Sequence, residues 1–223
     1  MYYNREKEER TYDAIVVGTG ISGGWAAKEL CERGLKTLVL ERGPARKHGD
    51  YPTAGLDPWD LPHNDRIPAE VVEKHYPKLS RKDYIIRQQS IDWFAKDDEY
   101  PYTEKRRFDW VRGYHTGGRS VMWGRHCYRL SDRDLTANAR EGIAVDWPIR
   151  YAELAPWYDH VERFAGISGR AEGLAHVPDS RFLPEMPLNC AEERFARGVA
   201  RHFNGRVVTP GRVAHLTRYD AAV

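Results

Sequence analysis

"YDAIVVGTGISGGWAAKELCERGLKTLVLERG", Tyr12 to Gly43, decides the fold. The β-branched run "YDAIVVG", Tyr12 to Gly18, reads as a buried parallel strand. It leads into Gly18-Thr19-Gly20-Ile21-Ser22-Gly23, a GxGxxG spacing. From Ile21 to Arg33 the pattern turns helical. Ile21, Trp25, Ala26, Ala27 and Leu30 form an inner face, and Lys28, Glu29, Glu32 and Arg33 an outer one. Gly34 supplies a left-handed stop, and "KTLVLE" a second strand. The unit is βαβ, with a right-handed crossover expected.

Each glycine answers a separate physical need. Gly18 allows a tight turn, Gly20 leaves room for a pyrophosphate against the backbone, and Gly23 lets the helix pack close to the strand. The helix start then offers free N–H groups and the positive end of its dipole to phosphate. Glu41 follows Gly23 by eighteen residues, at the end of the second strand. A carboxylate there accepts hydrogen bonds from both hydroxyls of an adenosine ribose and repels a 2′-phosphate, which favours FAD or NAD over NADP. The plainer reading is a glycine-rich turn with a surface glutamate. Strand, helix, second strand and acid falling together weigh against it.

From Pro44 to about Pro101 the regular pattern fails. "GPARKHGDYPTAGLDPWDLPHNDRIP" is rich in Pro, Gly and Asp and reads as an extended excursion, of the kind that serves as a lid or cofactor cover. "KDYIIRQQSIDWFA" is open to either a short strand or a helix. "WVRGYHTGGRSVMWGRHCYRL" is a glycine-rich loop followed by a strand-like run. A helix is expected around Tyr151 to Phe164, ended by Gly166. A second is expected in "LNCAEERFARGVARHF", with Asn189 as N-cap and Glu192 at the capping-box position. "GRVVTP" reads as a short strand.

Composition bounds the rest. The chain has 223 residues, 41% hydrophobic and 30% charged, as in a soluble globular protein. A net charge of +2, with Lys105-Arg106-Arg107 the densest basic run, gives no reason to invoke nucleic acid. An aromatic share of 12% suits a substantial core or a lined pocket. Cys31, Cys127 and Cys190 are isolated, without CxxC or metal-ligand spacing, and fit a reducing compartment. Cys31 reads as a small core residue of the first helix. No apolar run approaches the roughly 18 residues of a membrane helix. The polar start "MYYNREKEERT" does not read as a secretory signal.

The chain resembles the glucose–methanol–choline (GMC) oxidoreductases, and within them the flavin subunits of bacterial gluconate and glucoside dehydrogenases and the pyranose oxidases. Three stretches carry the resemblance: the opening βαβ unit with its "ERG"; "GGRSVMWGR", Gly117 to Arg125, which matches a flavin loop with a GG-x-[ST] core; and "DWPIRYAELAPWYDHVERFAGISG", Asp146 to Gly169. The resemblance implies an α/β, Rossmann-like FAD/NAD(P)-binding domain of the GMC type. Only its N-terminal part is expected within residues 1–223, with 44–110 as the covering excursion and the substrate domain beyond Val223.

It further implies an FAD-dependent oxidation of the CH–OH group of a sugar or alcohol, with hydride passing to flavin N5. The alternative is a non-catalytic FAD-binding fragment or the assembly subunit of a split dehydrogenase. A simple NAD-dependent Rossmann enzyme is a third reading. The cofactor-binding residues so implied are Gly18, Thr19, Gly20, Ile21, Ser22, Gly23, Glu41 and Arg42 on the adenosine side, and Gly117, Gly118, Arg119, Ser120, Met122, Trp123 and Gly124 on the flavin side. Gly117 and Gly118 permit close backbone approach to the ring, and the Ser120 hydroxyl can donate to a phosphate or ribityl oxygen. Trp123 is open to two readings, a ring neighbour or a core tryptophan.

His115 and His126 flank the loop. The resemblance places the catalytic histidine, with a His or Asn partner, much later in a longer chain, so both read as loop-stabilising. In pyranose-oxidase-like relatives a histidine just before the loop tryptophan is bonded to the flavin; Met122 stands at that place here. A thioether cannot form that link, and His126 is a poor substitute, so FAD is expected to be non-covalent. A small subunit and a cytochrome acceptor are implied as partners. A cytoplasmic enzyme and a periplasmic one exported with a partner both fit. Some relatives carry a cysteine-ligated iron–sulfur cluster after this region; those cysteines are not in this chain.

Overall fold

A computed structural model describes residues 11–47, 50, 55–82 and 87–218. The chain divides into two compact units, Met1–Trp123 and Gly124–Val223.

The first unit opens as its apolar pattern requires. β1 (Ala14–Val17) pairs in parallel with β2 (Thr37–Leu40), in register from Ala14 opposite Thr37 to Val17 opposite Leu40. Between them runs α1 (Ile21–Glu32). Gly34 ends it at φ +83°, its N–H bonded to the Cys31 carbonyl, with Leu35 N–H on Leu30. That is the left-handed stop expected of a glycine there. Mixed helix with a parallel strand pair is compatible with the expected α/β class.

The strands are not buried on both sides, which corrects the reading of β1 as a buried strand. Val16 points toward α1 and is 8% exposed, whereas Ile15 and Val17 are 61% and 81% exposed. The cause is geometric: side chains alternate along a strand, and a two-stranded sheet with one helix has one covered face. α1 likewise has no fully buried residue, Ile21 and Ala26 are exposed, and Cys31 lies at the surface rather than in a core.

The excursion after β2 is more ordered than its composition suggests. Short 3₁₀ turns at Pro58–Asp60, Pro62–Asp65, Leu79–Arg81 and Ile91–Trp93 surround α2 (Ala69–His75). Tyr76, Leu79 and Ile91 form a small core, lined by Ile67, Val71, Phe94 and Val111. Asp97 ties it together, one carboxylate oxygen accepting the N–H groups of Lys78 (2.8 Å) and Leu79 (3.1 Å). Burial first, then the charges of Asp92, Glu99, Asp98 and Asp97, push the Tyr76 phenol up to about 12. The "KDYIIRQQSIDWFA" stretch, open to strand or helix, holds the 3₁₀ turn at Ile91–Trp93; its residues 83–86 lie outside the described residues.

In the second unit, α3 (Asp132–Leu135) and α4 (Ala137–Glu141) precede α5 (Tyr151–Ala165), β3 (Ile167–Ser168), α6 (Cys190–His202) and β4 (Val213–Ala214). α5 ends at Gly166 with φ +67°. α6 is capped as its sequence indicates: Asn189 Oδ1 accepts the N–H of Ala191 and Glu192, each at 3.0 Å, and Glu192 returns a bond to the Asn189 N–H at 2.8 Å. β3 and β4 pair antiparallel.

Two strand expectations fail here. "GRVVTP" forms no strand; Val207 is exposed and Pro210 has no N–H for a ladder, so pairing moves on to Val213 and Ala214. The strand-like run after the glycine loop yields a single bridge, His126 opposite Val213. The second unit is instead held by charge. Arg129, 6% exposed, donates through Nε to Glu162 Oε1 at 2.8 Å and through Nη2 to Glu162 Oε2. It also bonds Asp159 at 2.6 Å and the Tyr151 hydroxyl at 3.0 Å. The bonds to Glu162 first, against the cost of burial, hold the Arg129 guanidinium above its ordinary value.

Candidate functional site

The site is built around the β1–α1 turn in the first unit. Gly18 takes φ +91°, and a Cβ there or at Gly20 would meet no protein atom within 4 Å. A Cβ on Gly23 would lie 2.0 Å from the Gly18 carbonyl oxygen, so only glycine permits this approach of helix to turn. Gly20 is the N-cap of α1 and offers no side-chain cap, and the first turn of α1 holds no acidic residue. The result is an open cradle at a positive helix end.

Glu41 sits beside it, at the end of β2. Its Oε2 accepts the Thr19 N–H at 2.9 Å and the Thr19 hydroxyl, and its Oε1 accepts the Gly43 N–H at 2.9 Å. Burial alone would raise this carboxyl. The hydrogen bonds from the Thr19 hydroxyl and the Gly43, Thr19 and Arg42 backbone outweigh it and hold Glu41 down to about 2. Arg42 points elsewhere, its guanidinium 3.8 Å from the Tyr114 ring centroid.

The glycine loop is brought to this turn. Gly117 (φ +81°) donates its N–H to the Thr19 hydroxyl at 2.9 Å. A Cβ on Gly118 (φ +51°) would lie 3.6 Å from the Gly20 Cα, so the two glycine segments face each other. Gly118–Met122 is a 3₁₀ turn rather than an extended loop. Ser120 spends its hydroxyl on the Gly117 carbonyl, and Arg119 reaches the Val111 carbonyl at 3.4 Å. The Met122 methyl lies against Gly113. Trp123 is 43% exposed. Gly124 falls in the second unit.

The two histidines are structural in their contacts. His115 is buried, with Nδ1 3.0 Å from the Thr116 carbonyl oxygen and its ring edge-on to Trp93 at 4.9 Å. His126 bridges to Val213 and stacks with Tyr128, centroids 6.3 Å apart. Burial pushes the Cys127 thiol up, which makes it a poor nucleophile.

Sequence reasoning places Thr19 among the cofactor-binding residues but misses the bonds of its hydroxyl to Glu41 and from the Gly117 N–H. Their signal was present as a hydroxyl residue between the first two glycines, with an acid at the end of the next strand. It also missed the cavity of about 410 Å³ in the excursion, lined by Tyr76, Trp93, Tyr100 and Tyr114 among others.

The Glu41 bonds predict an acid-sensitive turn. A carboxyl lowered from 4.5 to about 2 on folding adds stability that is full above the higher value and is lost as pH falls toward the lower. Glu41→Gln should remove on the order of 2–3 kcal/mol at pH 7 and little at pH 2. Urea unfolding of parent and variant across that window checks this; equal differences at both ends would contradict it.

The site thus defines a βαβ unit with a glycine turn fitted to an anionic group, an acid at the second strand and a second glycine loop alongside. The chain is 31% identical over 176 residues to the gluconate 2-dehydrogenase flavoprotein of Pantoea cypripedii, covering 74% of this chain and 26% of that protein. It is 27% identical over 201 residues to the paromamine 6′-oxidase of Streptomyces fradiae, covering 89% and 30%. It is 24% identical over 173 residues to the fructose dehydrogenase large subunit of Gluconobacter japonicus, covering 73% and 28%. No protein-family model matches the chain. These relatives bear out the resemblance: the chain is homologous to GMC-type oxidoreductases. It spans between a quarter and a third of the length of these curated relatives. Among the described residues, no helix is long and apolar enough to cross a membrane.

Proposed function

We propose that this chain is the FAD-binding part of an oxidoreductase acting on the CH–OH group of a sugar or alcohol. The observation that carries the reading is the open cradle at Gly18 and Gly20, at the uncapped start of α1, with Glu41 beside it. The residues fit the cofactor. Backbone N–H groups at Gly20–Gly23 receive the pyrophosphate, and Glu41 receives the ribose. Gly117–Trp123 approaches the ring, with Trp123 exposed to meet it. The bound flavin would supply the hydride acceptor; the chain supplies position and charge. No residue of this chain is proposed as the catalytic base. The excursion over 44–110 is proposed as the cover of the cofactor.

The relatives' names support the substrate class, since they include dehydrogenases of gluconate and fructose. The name "large subunit" in one of them supports a further, smaller subunit as a partner; an electron-accepting cytochrome is proposed beside it from the family resemblance alone. Co-purification from the native host tests this; an active enzyme without either partner would remove it.

FAD should be held without a covalent bond, because Met122 has no nitrogen nucleophile. Acid precipitation of the loaded protein should leave the yellow colour in the supernatant. Colour in the pellet would overturn the alignment of the loop. Glu41→Ala should weaken FAD retention while the chain stays folded; unchanged retention would contradict the role given to Glu41. Bleaching of bound FAD by a sugar or alcohol, in the complete enzyme, tests the activity. FAD that binds but bleaches with none of them would identify a binding module instead.

A further inference from the structure

We infer that the Thr19 hydroxyl is a positioning latch that joins the two glycine loops through Glu41, and does not itself contact the cofactor. This rests on the function proposed above, and the geometry is specific. The hydroxyl donates its one proton to Glu41 Oε2 and accepts the Gly117 N–H at 2.9 Å. A hydroxyl has one proton to give, and here it is committed. The Thr19 N–H closes on the same carboxylate oxygen at 2.9 Å, so Oε2 has two donors from one residue.

Glu41 is therefore locked at one oxygen. An ionised carboxylate offers about four acceptor sites. Thr19 takes two and Gly43 takes one, at 2.9 Å on Oε1. The Arg42 backbone also bonds this carboxylate. A ribose arriving at Glu41 meets a carboxylate already oriented by the Thr19 hydroxyl and amide on Oε2 and by the Gly43 amide on Oε1. Thr19 sets which oxygen faces the ligand, and through the Gly117 amide it carries that constraint to the second loop. The loop is tied to the same place by further bonds: Thr116 N–H to the Pro44 carbonyl at 3.0 Å, and Arg46 N–H to the Thr116 hydroxyl at 3.2 Å. A Cβ on Gly43 would lie 2.2 Å from the Tyr114 carbonyl, so the two segments are in backbone contact.

The test compares Thr19→Val, which keeps the shape and removes the hydroxyl, with Thr19→Ser, which keeps it. Amide hydrogen exchange of Gly117 and Gly43 is measured on the ligand-free chain, then affinity for FAD and for ADP alone. Thr19→Val should speed exchange at Gly117 about tenfold. It should weaken FAD about tenfold, and Thr19→Ser should restore both. Thr19→Ala, which adds no bulk, gives the same comparison should Thr19→Val fail to fold. Unchanged Gly117 exchange without the hydroxyl, or a Ser variant as fast as the Val one, would overturn the latch. ADP separates the halves: a loss for FAD larger than for ADP supports transmission to the second loop, and equal losses refute it. A parent chain that binds neither ligand would defeat the proposed function, while the exchange result would still decide the latch.

Discussion

Glu162→Ala should destabilise the second unit by about 3 kcal/mol or more, which shifts its urea midpoint well below that of the parent. The carboxylate is bonded twice by Arg129, and both groups are 6% exposed. Removing Glu162 leaves a buried guanidinium with Asp159, the Tyr151 hydroxyl and the Tyr158 ring as its side-chain partners among the described residues. Asp159 is shared with Arg181 at 2.9 Å, so it cannot compensate in full. The Arg181 N–H would also lose its acceptor on Glu162, now at 3.2 Å. Replacing both members, Arg129→Met with Glu162→Leu, should cost less than the single change, because no charge is then stranded. A loss under about 1 kcal/mol for Glu162→Ala would show that the pair does not hold this unit together.

Gly20→Val should abolish tight FAD binding, by roughly a hundredfold or more, and leave folding nearly intact. A Cβ at Gly20 would have no close contact with the rest of the fold, unlike one at Gly23. It would project into the space assigned to the pyrophosphate. Gly23→Ala should behave differently. Its Cβ would lie 2.0 Å from the Gly18 carbonyl oxygen, so the turn itself must move, and stability and binding should fall together. Thermal unfolding beside FAD titration separates the two. A Gly20→Val chain that binds FAD like the parent would sink the dinucleotide reading.

What the sequence made legible was local. Glycine spacing, β-branched runs and a left-handed stop at Gly34 specify β1, α1 and β2 because each signal acts within a few residues. The caps of α5 and α6 are of the same kind. What it hid was relational. The Gly117 amide and the Thr19 hydroxyl are separated by 98 positions, and no periodicity announces their meeting. Glu162 stands in the charged run "DHVER", which reads as a solvated face until Arg129 is seen beneath it. The exposure of Ile15 and Val17 is hidden for a related reason: a β-branched run states that a strand forms, not what covers each face. α2 was lost inside a proline-rich stretch because seven residues are too short for a helical period to show.

Equilibrium titration of the chain with FAD, followed by quenching of flavin fluorescence and repeated with Gly20→Val and Glu41→Ala, tests the central claim most directly. The account predicts one FAD bound per parent chain, released intact by acid, with binding lost in Gly20→Val and weakened in Glu41→Ala while both variants remain folded. A folded parent chain that leaves FAD fluorescence unchanged, or variants that bind as the parent does, would contradict it.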